Sequence, residues 1–441
     1  MSMMPPPTHD LPMPQVVYVG QKPKKINQSY KFIRFLFCGL ALIVVLNLNI
    51  LSNRIFGNGQ AFSPIILLGC LLAVVNSKVS RINGVPLAAT LFLVGLLTAL
   101  FVGVLSTIAG GIGSPLELAF RIFKDAATPV VFFSTVLMAS SLKKLGGETA
   151  DKQVLLIIYY VALLGALTIF IPLVFPQWHY FIRGDNKVFS RFGGLYGNPN
   201  AASSAVLSFM VVGIAMTARS KKMHYLAASL IIGSAAIFLT GSRIGLLTVF
   251  FVVLPLNGLV FGFKHIVRLG MVGVVVLIVG AGLFYAVKGQ TDSSVRSESK
   301  RSRQLLNLYQ EGLHEGNTGG RTLLASTAIK MWQDSPMIGH GIGSSRPMWP
   351  YFEVGPHNYF LVVLIETGVF GFIPFVLCWM LVGFHSFDKS NQPWLRVLII
   401  GLFLTLTAYA MTAHTVFTSR NQVFLIAAAI GLSTKIGGER R

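Results

Sequence analysis

Charged side chains are scarce in this sequence, since only 12% of its 441 residues are Asp, Glu, Lys or Arg. An ordinary soluble domain carries about a quarter charged residues. At the same time 53% of the residues are hydrophobic and the mean hydropathy is +0.68. The shortage of charge excludes a soluble enzyme of one or two domains and a disordered chain. The composition predicts an all-α protein that crosses a membrane many times.

Cysteine is nearly absent, and metal-binding patterns are missing. The three cysteines, Cys38, Cys70 and Cys378, all lie inside apolar runs, which predicts small buried hydrophobes and not a disulfide framework. The nine histidines show no metal-ligand spacing, and no acidic cluster accompanies them. Phosphate-binding loops, nucleotide fingerprints and serine-triad motifs are also missing. We therefore expect no metal and no cofactor.

Acidic residues are few, so the charge balance is strongly basic. Lys and Arg number 36 against 15 Asp and Glu, a formal net charge of +21. A nucleic-acid-binding protein of this hydrophobicity is excluded. The excess charge instead indicates anionic partners at a membrane.

Runs without acidic or basic residues are long enough to predict transmembrane helices, each of which needs about 20 apolar residues. Twelve candidates are found, one of them interrupted only by Glu366. They cover residues 35–53, 55–77, 82–116, 126–142, 153–182, 192–218, 223–242, 244–263, 269–287, 357–384, 397–419 and 421–434.

The distribution of Lys and Arg predicts the orientation of these spans. If the N-terminal tail is cytoplasmic, 20 of the 36 basic residues and only 5 of the 15 acidic ones fall on the cytoplasmic side. Both termini are then cytoplasmic. The predicted parts are a cytoplasmic tail 1–30, helices one to nine in 31–287, an outer helical loop subdomain 288–356, helices ten to twelve in 357–434, and a cytoplasmic tail 435–441.

Three arginines stand where a predicted span meets an outer loop. Arg191 precedes helix six, Arg243 lies in the short turn between helices seven and eight, and Arg321 begins an apolar-periodic stretch in the long outer loop. A guanidinium group stays charged and matches phosphate oxygens with two hydrogen bonds. At the polar edge of a bilayer these arginines suit a lipid-linked phosphate. Anchoring of helix ends is the alternative interpretation for each of them.

Asparagines and glycines follow Arg191 in the segment Arg-Phe-Gly-Gly-Leu-Tyr-Gly-Asn-Pro-Asn. Asn198 and Asn200 are candidates for orienting sugar or phosphate oxygens. Capping of helix six is the alternative role, because Asn is a preferred N-cap residue. The glycines fit backbone that approaches a ligand closely, and they fit an ordinary turn equally.

His357 is a candidate general base, because it stands where the long outer loop re-enters the membrane and an imidazole accepts a proton near neutral pH. A structural imidazole that caps the helix is the alternative. Glu366 is an ionisable residue inside the same span. Nine helical residues, roughly 13.5 Å of rise, separate the two, so we expect Glu366 to form an interhelical hydrogen bond outside that site.

Several motifs together resemble the O-antigen ligase/polymerase superfamily of bacterial inner-membrane proteins. They are Thr-Gly-Ser-Arg at 240–243, Arg321 followed by Met-Trp at 331–332, and Ser-Pro-Met-Ile-Gly-His-Gly-Ile-Gly at 335–343. The last is His357-Asn358, then nine residues, Gly368, two residues and Gly371. This spacing is similar to the signature of O-antigen ligases.

The resemblance implies a glycosyltransferase of lipopolysaccharide biosynthesis at the periplasmic face of a Gram-negative inner membrane. The donor would be a glycan on undecaprenyl diphosphate, and the acceptor a sugar of lipid A–core. His357 would be the general base of an inverting, metal-independent transfer. Arg191, Arg243 and Arg321 would bind the diphosphate, and Asn198, Asn200 and Asn358 would contribute to diphosphate or glycan binding.

The sequence leaves open which loop arginine matches the family pattern and which activity the protein has. The family's loop arginine has the pattern Arg-x-x-x-Leu, which Arg301 with Leu305 matches literally, whereas Arg321 is followed by Ala325. An O-antigen polymerase and a protein O-oligosaccharyltransferase would use the same donor. A flippase or transporter of lipid-linked glycans is an alternative of another class. The outer-edge position of the arginines favours an enzyme, since transporters bind near the bilayer midplane.

Overall fold

The computed structural model describes residues 28–56, 63–76, 86–110, 115–175, 177–183, 191–262, 321–345, 355–413 and 420–435. Within these ranges the regular structure is entirely helical, with no strand. The N-terminal tail, predicted helix nine and most of the long outer loop lie outside the described residues.

The structure describes fifteen α-helices in these ranges. They are α1 (Gln28–Val45), α2 (Leu48–Phe56), α3 (Ser63–Asn76), α4 (Leu87–Ala109), α5 (Pro115–Leu167), α6 (Ile171–Val174), α7 (Gln177–Arg183), α8 (Pro199–Ser220), α9 (Met223–Thr240), α10 (Arg243–Thr248), α11 (Leu254–Phe261), α12 (Arg321–Asp334), α13 (Tyr359–His385), α14 (Pro393–Ala410) and α15 (Asn421–Leu432). A π-helical turn, Val249–Val253, joins α10 to α11.

Eight of the helical segments that the structure describes are long and apolar enough to cross a membrane, and two shorter apolar helices accompany them. The predicted all-α, polytopic membrane architecture is confirmed. Cys70 and Cys378 are buried, and the three thiols are free. The predicted helical stretch of the outer loop is present as α12.

Some predicted boundaries differ from the observed ones. The first predicted span is divided at Asn47, whose positive φ of 54° separates α1 from α2. The predicted gap between the fourth and fifth spans agrees with the structure, because α5 is interrupted inside it, at Gly147, with φ 56° and ψ −138°. Hydropathy locates apolar runs but does not report a backbone break inside one, so the break at Asn47 was not predicted.

Among the eight described segments that are long enough to cross a membrane, α8 is the most buried, with 89% of its most apolar stretch enclosed by protein. It packs against α5, α9 and α14, and its small residues allow close approach. At Gly213, for example, an added Cβ would lie 2.0 Å from Ser229 Oγ of α9. Since α8 begins at the segment that carries Arg191, a deeply buried helix supports that segment.

The long helix α13 is not continuous. Gly368 has φ 58° and ψ −165°, so the α-helical hydrogen-bond ladder is interrupted within an apolar span. Backbone groups freed in such a place need partners, because neither lipid nor an apolar core supplies them. The position is the first glycine of the His-Asn-x9-Gly-x2-Gly motif.

The loop that follows α12 supplies these partners. His340 N donates to Ile365 O (2.8 Å) and Gly341 N donates to Glu366 O (3.0 Å). Beyond the break, Val369 N donates to the carbonyl of Pro336 (2.9 Å), and Phe370 N donates to that of Met337 (3.1 Å). The interruption of α13 is therefore filled by backbone from residues 336–341.

This arrangement sets the direction of α12 along α13. The C-terminal end of α12 is held at the break, and its buried residues Leu324 and Ala328 pack with Ile365. Leu361, nearer the start of α13, joins the same cluster. Helix α12 therefore runs back along the first half of α13, and Arg321 lies at the end of this pair where His357 precedes α13.

We predict that Gly368→Ala disturbs this region. A Cβ there would lie 2.4 Å from the carbonyl carbon and oxygen of Met337, and the positive φ alone costs a side chain about 1–3 kcal/mol. Gly39→Ala is the matched control, because no atom lies within 4 Å of its added Cβ. Thermal unfolding in detergent should show a clearly lower Tm for the first variant only. Equal Tm values would contradict the described packing.

Candidate functional site

Arg191 is held against the end of α9 by two side-chain hydrogen bonds. Its Nε donates to Thr240 O (2.7 Å), and its Nη2 donates to Asn200 Oδ1 (2.8 Å). The neighbouring backbone adds a third link, from Phe192 N to Leu239 O (3.1 Å). The segment before α8 and the end of α9 thus form one unit, with the Arg191 guanidinium group between them.

The turn from α9 to α10 is as short as the sequence predicts. Gly241, with φ 55°, ends α9 in the left-handed conformation. Ser242 then caps α10 through its side chain, which accepts from Gly245 N (3.4 Å), and it also donates to Asn200 Oδ1 (3.2 Å). Arg243 is the first residue of α10, so its backbone position follows directly from this turn.

Helix α10 is also fixed by a close contact with α8. An added Cβ at Gly245 would lie 2.0 Å from Ser203 Oγ. Both residues are buried. This contact sets how closely the start of α10, and with it Arg243, approaches the start of α8.

Arg243 and Arg321 lie near each other although about 80 residues separate them in the chain. The surrounding protein atoms lower the pKa of Arg321, and the positive charge of Arg243 lowers it further, although the residue as a whole is exposed. The two guanidinium groups therefore repel each other. Their mutual repulsion is relieved when an anion lies between them.

His357 is half-buried and follows the buried residues Gly355 and Pro356. It immediately precedes Asn358, whose Oδ1 accepts from Phe360 N (2.9 Å) and Leu361 N (3.3 Å) at the start of α13. Since α12 runs back towards this point, the histidine and Arg321 belong to the same end of the α12–α13 pair.

Two of the predicted binding asparagines serve as helix caps. Asn198 Oδ1 accepts from Asn200 N (2.8 Å) at the start of α8, and Asn358 caps α13. Asn200 instead uses its side-chain oxygen to hold Arg191 and Ser242. A cap occupies the oxygen of the amide group, so the contribution of Asn198 and Asn358 to ligand binding stays a prediction.

The sequence alone did not indicate two residues that hold this arrangement. Ser203 and Gly245 are small, and their function depends on a contact between helices that are far apart in the chain. The alternative loop arginine, Arg301, lies outside the described residues. Among the residues that the structure describes, no three His, Cys, Asp or Glu side chains form a group that could hold a metal ion.

The model of the O-antigen ligase family matches residues 228–376. This segment resembles O-antigen ligases. The match contains Arg243, Arg321 and His357, and it ends within α13 beyond the break. It therefore confirms the resemblance that the motifs indicated and supports assignment to the O-antigen ligase superfamily, while Arg191, Asn198 and Asn200 lie outside the matched range. No curated protein matches the chain.

We predict that Gly245→Ala impairs the site by pushing α10 away from Ser203. Ser203→Ala should be well tolerated, and it should rescue Gly245→Ala in the double variant, because the remaining Ser203 Cβ would lie 3.3 Å from the new methyl group. Detergent Tm and cellular activity should both show this pattern. A double variant as poor as Gly245→Ala alone would contradict the contact.

Proposed function

We propose that this multi-pass membrane protein is an O-antigen ligase. It transfers a polysaccharide from undecaprenyl diphosphate to a sugar of lipid A–core at the periplasmic face of the inner membrane, with both termini in the cytoplasm. The observation that carries the proposal is the convergence of Arg243 and Arg321, two like charges from separate segments, within the range that matches the ligase family.

The electrostatics suit a leaving group that is a diphosphate. When the bond between the anomeric carbon and the diphosphate oxygen breaks, negative charge grows on that oxygen and is stabilised by fixed cations. Arg243 and Arg321 supply such charges. Arg191 adds a third and, through Thr240 and Asn200, holds the turn that carries Arg243. This set of charges makes a metal ion unnecessary for the step.

His357 completes the reaction as the general base. Its imidazole takes the proton from the acceptor hydroxyl as that oxygen forms a bond to the anomeric carbon, on the face opposite the departing diphosphate. A single displacement of this kind inverts the anomeric configuration. The proposal is supported by the position of His357 at the Arg321 end of the α12–α13 pair.

A lipopolysaccharide gel of a deletion strain tests the proposed activity. Loss of the ligase should leave bare lipid A–core while long glycan accumulates on the carrier lipid, and plasmid-borne wild-type protein should restore the ladder. Core bearing one repeat unit would instead indicate a polymerase. An unchanged gel would indicate a protein O-oligosaccharyltransferase and overturn the proposal.

The role of His357 predicts a pH dependence for the purified enzyme in excess EDTA. A general base must be neutral, so kcat/KM should fall as the pH is lowered and the imidazole becomes protonated, approaching a loss of about tenfold per pH unit. His357→Ala should lose most activity, and its remaining activity should lack this dependence. Wild-type turnover that needs a divalent ion, or a His357→Ala variant with normal turnover, would contradict the mechanism.

A further inference from the structure

Glu366, two residues before the break in α13, contacts the loop after α12 at two points. Its backbone carbonyl accepts from Gly341 N (3.0 Å), and its carboxylate Oε1 accepts from Ser345 Oγ (2.5 Å). Ser345 is fully buried, with no exposed surface. One residue of α13 therefore holds both ends of the stretch 341–345.

The opposite side of this loop is held by α4. Ile342 N donates to Thr107 Oγ1 (2.8 Å), and Ser106 Oγ donates to Gly339 O (2.6 Å). An added Cβ at Gly341 would lie 2.4 Å from Thr107 Oγ1, so the approach is close. The loop is enclosed between α4 and α13, and a shift of the loop must break contacts with one of them.

The loop links two parts of the proposed site. It continues directly from α12, which begins with Arg321, and it is hydrogen-bonded to α13, which begins two residues after His357. We infer that Glu366 is a positioning residue. It accepts the hydrogen bond of Ser345 and holds the loop on α13. The start of α12, with Arg321, is thereby kept in a fixed register along α13, which His357 precedes. The inference rests on the proposed function for the reaction that this register serves.

A different role for Glu366 makes the opposite prediction for a conservative variant. The carboxyl group also lines a cavity of about 70 Å³ together with Asp125 and Tyr359. A group that carried a proton there would need an ionisable acid. A positioning residue needs only an acceptor oxygen, which glutamine retains.

The activities of four variants separate these roles. They are Glu366→Gln, Glu366→Ala, Ser345→Ala and the double variant that combines Glu366→Ala with Ser345→Ala. We expect Glu366→Ala and Ser345→Ala each to lower kcat by about 10- to 100-fold, since small displacements of reacting groups have effects of this size. The double variant should be no worse than the poorer single one, because both remove the same contact. Glu366→Gln should stay close to wild type.

Ser344→Ala is the matched control. Its hydroxyl donates to Gly341 O (2.7 Å) within the loop and not to α13. It lies beside Ser345 in the chain and removes the same oxygen atom. Its activity should equal that of the wild type, which would attribute the Ser345 effect to the contact with Glu366.

Amide hydrogen exchange provides a readout that does not depend on glycan transfer. Exchange in residues 324–332 of α12 should be faster in Glu366→Ala and Ser345→Ala than in the wild type, and unchanged in Glu366→Gln and Ser344→Ala. If the protein shows this exchange pattern but has no ligase activity, the proposed function is contradicted, whereas the role of Glu366 in holding the loop is supported. Two results would overturn the inference. One is exchange that is unchanged in all variants. The other is a Glu366→Gln enzyme as inactive as Glu366→Ala, together with a Ser345→Ala enzyme that stays active.

Discussion

Backbone polar groups inside an apolar bundle must form hydrogen bonds within the protein. The break at Gly368 creates such a need in the middle of α13, because it interrupts the hydrogen bonds of the helix. A helix interrupted there exposes carbonyl and amide groups that neither lipid nor neighbouring aliphatic side chains can satisfy. Residues 336–341 satisfy them with four backbone hydrogen bonds. The path of the chain around α12, the loop and the first half of α13 follows from meeting that one requirement.

Hydrogen bonds also fix the backbone around Arg191 and Arg243. Arg191 uses Nε and Nη2 on Thr240 and Asn200, so its charge is held in place by the groups that shape the α9–α10 turn. Arg243 then starts α10 at a position determined by a glycine, a serine cap and the contact with α8. Bringing Arg243 near Arg321 is electrostatically unfavourable. The packing of α10 on α8 sets the position of Arg243, and the packing of α12 on α13 sets that of Arg321.

The sequence predicted the all-α membrane architecture and the helix in the long loop, because apolar runs and helical periodicity are properties of local sequence. It also indicated the family, through motifs that include Gly368 and His357. It could not distinguish the two roles of Asn198 and Asn358, since cap residues and ligands share the same chemistry. It predicted an interhelical hydrogen bond for Glu366, and the bond in the structure joins it to the loop residue Ser345. Such a contact depends on the fold of a loop far away in the chain.

Because the four bonds at the break of α13 join backbone to backbone, they place no demand on side-chain identity except where a Cβ would not fit. Gly339, Gly341 and Gly368 are such positions, each with positive φ and with neighbouring atoms within 2.7 Å of an added Cβ. As far as these four bonds are concerned, His340, Val369 and Phe370 could change while the backbone arrangement persists. Relatives of this protein should therefore be easier to find by the spacing of a few glycines around an arginine and a histidine than by overall sequence identity.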